Sequence, residues 1–191
     1  MENSSKIQRI QTVCVFCSVE TNANSKIITI AKEISRLISE KEWNLVVCGS
    51  NIEMIGLVLK ETKIVNNKCL TTSILPKSLY SDEILEYSDV KIEIPINDKK
   101  YHNSVTPSDF FIFFYDEVYF LSKIESILIF AIKNKKPFSI FWENNPLDVF
   151  YSTQRVLKEH IKKEDWGKMG KVNFNIDNSP LSTIKEIESL Q

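Results

Sequence analysis

Residues 109–115 read D-F-F-I-F-F-Y, an almost unbroken apolar run with no polar residue at alternate positions. A strand with one face in water alternates apolar and polar side chains, whereas a strand buried on both faces is apolar throughout. Strands of the second kind occur in parallel sheets that carry helices on both faces. The run therefore predicts a central strand of such a sheet.

The rest of the chain alternates between strand patterns and helical patterns. The predicted strands are residues 12–17, 45–48, 68–75, 89–94, 109–115, 137–141 and 171–177. The predicted helices are residues 25–41, 52–65, 118–133 and 146–163, and a last one that begins at Pro180 with Ser179 as its N-cap. Crossover-length helices without hairpin signals predict an α/β fold: a Rossmann-like parallel sheet with helices on both faces.

Composition limits the domain count and the kind of partner. A chain of 191 residues with 43% hydrophobic content predicts a single domain over residues 12–191, after a polar segment at 1–11. Its net charge of -1 argues against binding to nucleic acid or to an anionic membrane. The longest apolar stretch, residues 118–132, is interrupted by Lys123 and Glu125. These features predict a cytoplasmic protein with a small ligand or a protein partner.

Four cysteines include one C-x-x-C pair, Cys14 and Cys17, inside the first predicted strand. Residues three apart on a strand point to opposite faces, so these thiols are not expected to share a metal or form a disulfide. Cys48 and Cys69 have the pattern of small buried hydrophobic residues. No metal and no cofactor are predicted.

The candidate site lies after the second predicted strand, where Gly49, Ser50 and Asn51 lead into a helix. Such a turn presents backbone N–H groups and the positive end of a helix to a phosphate. A turn that merely connects a strand to a helix favours the same small residues. The carboxyl ends of the other parallel strands place residues 17–18, 75–77 and 115–119 beside this turn, among them Ser18 and Tyr115.

Several segments resemble a known enzyme family. Residues 12–18, T-V-C-V-F-C-S, resemble the opening V-C-V-F-C-G-S-S of the Lonely Guy type cytokinin riboside 5'-monophosphate phosphoribohydrolases. Residues 45–57 are similar to the family's L-V-Y-G-G-G-x-x-G-L-M-G and retain Gly49 and Gly56. Further similarity lies at residues 73–79, 96–100, 109–114, 135–138 and 145–161. The resemblance therefore spans residues 12–190 and implies a Rossmann-like fold and a dimer.

The resemblance implies hydrolysis of the N-glycosidic bond of a nucleoside 5'-monophosphate, but the family's catalytic motif P-G-G-x-G-T-x-x-E is absent. Residues 115–123 read Y-D-E-V-Y-F-L-S-K at that place. Asp116 and Glu117 would each repel a phosphate by about 4 kcal/mol at 4 Å and an effective dielectric near 20. Bulky Tyr119 stands where the family has a small residue, and Glu125 is the nearest carboxylate to the catalytic position. Lys99 or Lys100 replaces the family's arginine.

These departures predict a protein that has lost the phosphoribohydrolase reaction. We expect a binding or scaffold subunit with a nucleotide-like ligand, which forms a homodimer or pairs with an active relative. The predicted ligand-binding residues are Ser18, Gly49, Ser50, Asn51, Gly56, Tyr115 and Tyr119. One alternative is an N-glycosidic hydrolase with a relocated carboxylate, at Asp116, Glu117 or Glu125. Another is a nucleotide sensor without turnover.

Overall fold

Among the residues that the structure describes, six parallel strands form one central sheet. The computed structural model describes residues 11–18, 26–82, 84–95, 104–105, 107–115, 121–134, 136–142 and 179–189. The strands are β1 Thr12–Cys17, β2 Asn44–Gly49, β3 Thr71–Pro76, β4 Val90–Ile94, β5 Phe110–Tyr115 and β6 Phe138–Trp142. The helices within the described ranges are α1 Lys26–Glu40, α2 Ile52–Val65, α3 Leu121–Lys133 and α4 Pro180–Ser189.

The strand order is β4-β3-β2-β1-β5-β6. The chain moves outward from β1 to β4, and β5 then pairs with the other side of β1. All pairs are parallel, so the carboxyl ends of all six strands lie along one edge of the sheet. The direction of winding reverses between β1 and β5, which makes this pair the topological switch point.

Helices cover both faces of the sheet. On the first face, α1, α2 and α4 pack with alternate strand residues such as Val13 and Val15. On the second face, α3 packs with the intervening residues, among them Phe111 and Phe113. The predicted single-domain, Rossmann-like α/β fold is confirmed.

The apolar run of β5 is explained by this arrangement. Phe110, Ile112 and Phe114 belong to the core of the first face, and Phe111 and Phe113 to that of the second. Each of these side chains is at most 1% exposed. Burying a large apolar side chain stabilises the fold by roughly 1.5–3 kcal/mol, so a polar residue at any of these positions would be costly on either face.

The two cysteines of the C-x-x-C pair lie on opposite faces, as predicted. Cys17 belongs to the core of the first face and Cys14 to that of the second. The Sγ atom of Cys14 is 3.8 Å from that of Cys48 on β2. The contact with Cys48 and burial raise the pKa of Cys14 well above its usual range, so this thiol stays protonated.

Some predicted element bounds differ from the observed ones. Residues 68–70, predicted as the start of a strand, instead complete the turn after α2, because the Asn66 side chain accepts a hydrogen bond from the Lys68 N–H. Ser179 and Pro180 begin α4 as predicted, with the Ser182 N–H donating to Ser179 Oγ at 3.3 Å. The predicted helix at 146–163 and the predicted strand at 171–177 lie outside the described residues.

None of the described helices is long and apolar enough to cross a membrane.

Asp89 links α2, β3 and β4 through one carboxylate. Lys63 Nζ lies 2.6 Å from its Oδ2 atom, and the Thr71 N–H and hydroxyl donate to the same oxygen at 2.8 and 3.0 Å. Burial acts to raise the pKa of Asp89, but the bonds from Lys63 and Thr71 outweigh it and hold the pKa below its usual range. The ionised carboxylate therefore stabilises the native state.

We expect the stability contributed by Asp89 to depend on pH. Because its native pKa is depressed, the contribution is fully present above the unfolded value of about 3.9 and is lost as the pH falls through the native value. The urea midpoints of the native protein and Asp89→Asn should therefore converge as the pH falls from 7 towards 3. The fully exposed Asp82, changed to Asn, serves as the control. A gap that stays constant with pH would contradict this assignment.

Candidate functional site

The candidate site is the carboxyl edge of the sheet, which we define as Cys17–Ser18, Gly49–Asn51, Pro76–Lys77 and Tyr115. These residues end β1, β2, β3 and β5 or follow them directly. Ligands of open α/β sheets bind outside the carboxyl ends of the strands, at the topological switch point. Here that point lies between Cys17 and its register partner Phe114.

Ser18 joins the two strands of the switch point. Its buried hydroxyl donates a hydrogen bond to the Phe114 carbonyl at 2.8 Å. The bond ties the residue after β1 to β5 and commits the hydroxyl hydrogen to the protein. Ser18 therefore shapes the floor of the carboxyl edge.

Gly49 allows the turn after β2 to approach the end of β1 closely. Its φ of +136° lies in a region that L side chains rarely adopt. A Cβ atom at Gly49 would lie 1.8 Å from the Cys17 carbonyl oxygen. The Ser50 and Asn51 N–H groups donate to that same oxygen at 3.0 and 3.2 Å. These two amides are thus already bonded within the protein, and the exposed Ser50 side chain faces solvent at the turn.

Asn51 caps the N-terminus of α2. Its backbone is extended, with φ -98° and ψ 103°, and its Oδ1 atom accepts from the Met54 N–H at 2.9 Å. The Ile55 N–H donates to the Asn51 carbonyl at 3.1 Å and starts the helical ladder. Glu53 lies in the first turn, where a carboxylate interacts favourably with the helix dipole. The positive end of α2 is consequently fixed at the carboxyl edge.

Lys77 provides a cation one strand away from this turn. Its Nζ atom is 3.9 Å from Glu93 Oε1, and its side chain is 80% exposed. Burial raises the pKa of the nearby Tyr80, and the charge of Glu93 adds to the effect. The sequence placed residues 75–77 at this edge but did not single out Lys77 as a ligand residue, because residues 77–88 have no regular hydrophobic period. They form two short 3-10 helices, Lys77–Leu79 and Ile84–Tyr87.

The structure brings together part of the predicted ligand set. Ser18, Gly49, Ser50 and Asn51 meet at the carboxyl edge, and the backbone of Tyr115 ends β5 beside them. Gly56 lies inside α2 rather than in the turn, and Glu125 lies within α3. The predicted residues outside the described ranges are Lys99, Lys100, Asp116, Glu117 and Tyr119.

Within the described residues, neither an exposed thiol nor a cluster of metal-ligating side chains lies at the carboxyl edge. All four cysteines are buried, and Cys17, at the carboxyl edge, is 0% exposed. Burial, followed by the neighbouring Cys48, raises the pKa of Cys17 well above its usual range. Within the described ranges, no group of three or more His, Cys, Asp or Glu residues could hold a metal ion.

Comparison with solved structures finds this fold in proteins that bind or carry a molybdenum cofactor. The molybdenum cofactor binding protein from the phototrophic bacterium Rippkaea orientalis is 18% identical, with a TM-score of 0.64 over 96% of this chain and 98% of that one. The molybdenum cofactor carrier protein MCP from Chlamydomonas reinhardtii is 14% identical, with a TM-score of 0.61 over 94% and 99%. At these identities the likeness establishes the fold. No protein-family model and no curated protein matches the sequence.

The Lonely Guy interpretation is wrong. Four solved structures that match this chain almost from end to end are described as molybdenum cofactor carrier or binding proteins, which belong to a different family. The predictions of a former phosphoribohydrolase that became a scaffold, and of a hydrolase with a relocated carboxylate, are corrected with it. The shared segments 12–18, 45–49 and 109–114 form strands and a close turn, so burial and the approach at Gly49 account for their sequences.

We expect Gly49→Ala to destabilise the protein by about 3 kcal/mol or more, because a strained backbone is combined with a clash against a carbonyl oxygen. Urea unfolding at neutral pH measures the change. Ser50→Ala, at the next and exposed position, is the matched control and should stay within about 0.5 kcal/mol of the native protein. A Gly49→Ala protein of native stability would mean that the turn adopts another conformation.

We expect Asn51→Ala to lower the free energy of unfolding by about 1 kcal/mol, since the Met54 N–H loses its capping acceptor. Asn51→Asp keeps an acceptor of the same shape and should retain native stability. The urea midpoints of the two variants distinguish loss of the cap from a general effect of substitution. Equal destabilisation by Ala and Asp would contradict the capping role.

Proposed function

We propose that this chain binds and carries a small, phosphate-bearing pterin cofactor of the molybdenum type, without catalysing a reaction, at the carboxyl edge. The class of ligand is suggested by the similar proteins, which are described as a molybdenum cofactor binding protein and a molybdenum cofactor carrier protein. The geometry that supports it is the fixed turn Gly49–Asn51 at the start of α2, beside the switch point of β1 and β5.

The turn suits an anionic group because it is rigid and lies at the N-terminus of α2. Two hydrogen bonds to the Cys17 carbonyl and the cap of Asn51 hold it in one conformation, so little further ordering is needed on binding. The N-terminus of α2 favours negative charge there. The Ser50 hydroxyl is exposed at the turn and can donate to a phosphate oxygen.

The described residues fit the organic part of such a cofactor better than its metal. Every cysteine is buried, and the described ranges offer no cluster of metal-ligating side chains. The Ser50 hydroxyl and the N-terminus of α2 would contact the phosphate, and the exposed Lys77 would add a positive charge nearby. When bound, the cofactor would supply a redox-active molybdenum, and Ser50 and Lys77 would contact its phosphate rather than the metal.

A cytoplasmic location agrees with this role. All four cysteines are free thiols, which is typical of reducing compartments. The Sγ atoms of Cys14 and Cys48 lie 3.8 Å apart, and no disulfide joins them. We propose that the protein carries its ligand in that compartment.

We expect Ser50→Asp to weaken binding of the cofactor by about tenfold or more, because a carboxylate at the turn repels the phosphate. The fold should survive, since a negative charge is favourable near a helix N-terminus. Anaerobic loading with the molybdenum cofactor, followed by gel filtration and molybdenum analysis of the protein fraction, measures retention. A parallel sample with molybdate alone tests whether the organic part is required.

The matched control is Asn67→Asp, which adds the same charge on an exposed residue beyond the other end of α2. It should retain the cofactor like the native protein. Native protein that retains no molybdenum from the cofactor would overturn the proposed function. Retention that Ser50→Asp leaves unchanged would move the binding site away from the turn.

A further inference from the structure

β4 is an edge strand with an exposed apolar side. It lies at the end of the strand order, and among the described residues no strand pairs with its outer side. Val90 is 40% exposed and Ile92 is 37% exposed. An exposed edge strand offers unpaired backbone groups to another strand, so natural proteins usually protect it or use it.

The side chains of β4 alternate between the two faces of the sheet, and the pattern is symmetric about Ile92. The register pairs Thr72 with Val90 and Ile74 with Ile92, and Ile74 belongs to the core of the second face. Val90, Ile92 and Ile94 therefore share the second face, while Lys91 and Glu93 point to the first. The sequence V-K-I-E-I has an apolar residue at its centre and at both ends, with opposite charges on either side of Ile92.

We propose that β4 is the contact surface for a second copy of this chain. The two β4 strands pair antiparallel about a two-fold axis at Ile92. Lys91 of each copy then lies opposite Glu93 of the other, and Val90 lies opposite Ile94 of the other. The sheet becomes continuous through both copies, and the β4 edge of each copy is covered by the β4 edge of the other.

The charges select this register over its neighbours. Directly opposed residues must share a face, so the pairing can shift only in steps that keep the alternation. An axis at Lys91 would place the two Lys91 side chains opposite each other and Glu93 opposite Asp89 of the other copy. An axis at Glu93 would oppose the two Glu93 side chains. Of these three axes, the one at Ile92 alone opposes Lys91 to Glu93 at both contacts, and directly opposed like charges are destabilising.

The ion pairs that Lys91 and Glu93 form within the chain compete only weakly with pairing to a second copy. Lys91 Nζ is 3.6 Å from Asp82 Oδ1, and the Asp82 side chain is fully exposed. Glu93 Oε1 is 3.9 Å from Lys77 Nζ, on a side chain that is 80% exposed. Exposed ion pairs contribute little to stability, so Lys91 and Glu93 can turn to a second copy at small cost.

Charge reversal tests the interface in the full chain by sedimentation velocity over a range of concentrations. We expect the native protein to dimerise, and Lys91→Glu or Glu93→Lys to raise the dissociation constant by about tenfold or more, because each creates two like-charge contacts. The double variant Lys91→Glu with Glu93→Lys restores opposite charges at both contacts and should dimerise like the native protein. Lys133→Glu, an exposed residue at the end of α3, is the matched control.

Three results would overturn the proposal: a native protein that is monomeric at about 0.1 mM, single reversals that leave the dimer unchanged, or a double variant that fails to restore it. A monomer would assign Lys91 the role of protecting the edge from association. Circular dichroism of each variant shows whether it is folded, and the double variant distinguishes lost pairing from damage at either position. The outcome is independent of cofactor retention, so failure of either proposal leaves the other standing.

Discussion

The carbonyl group of Cys17 connects the main parts of the candidate site. It accepts hydrogen bonds from the Ser50 and Asn51 N–H groups, and it can do so because Gly49 has no side chain. The end of β1, the end of β2 and the start of α2 are thereby fixed to one atom. The position of the positive end of α2, and with it any anion site at this edge, depends on that contact.

The sequence predicted the sheet well because burial dictates its residues. The apolar run of β5 follows from two covered faces, and the opposite placement of Cys14 and Cys17 follows from strand alternation. The cap of α4 at Ser179 also followed from local chemistry. The start of β3 did not, because the Asn66 side chain organises a turn over residues that have a strand-like pattern.

The site was predicted only in part, for a different physical reason. Gly49, Ser50 and Asn51 could be located because a turn between a buried strand and a helix demands small or capping residues. The acceptor that fixes them is a backbone carbonyl of Cys17, which leaves no trace in the sequence. The family was misjudged because the shared segments record burial and close approach, which belong to the fold, whereas function depends on side chains at its edge.

Because all four thiols are buried, their reactivity can be used to measure how often the sheet opens. Cys14, Cys17, Cys48 and Cys69 are at most 3% exposed and lie in β1, in β2 and just before β3. A thiol reagent can reach them only when that half of the sheet separates, so the rate of modification reports the free energy of this opening. The same property lets a label be placed on an engineered surface cysteine without reaction in the core.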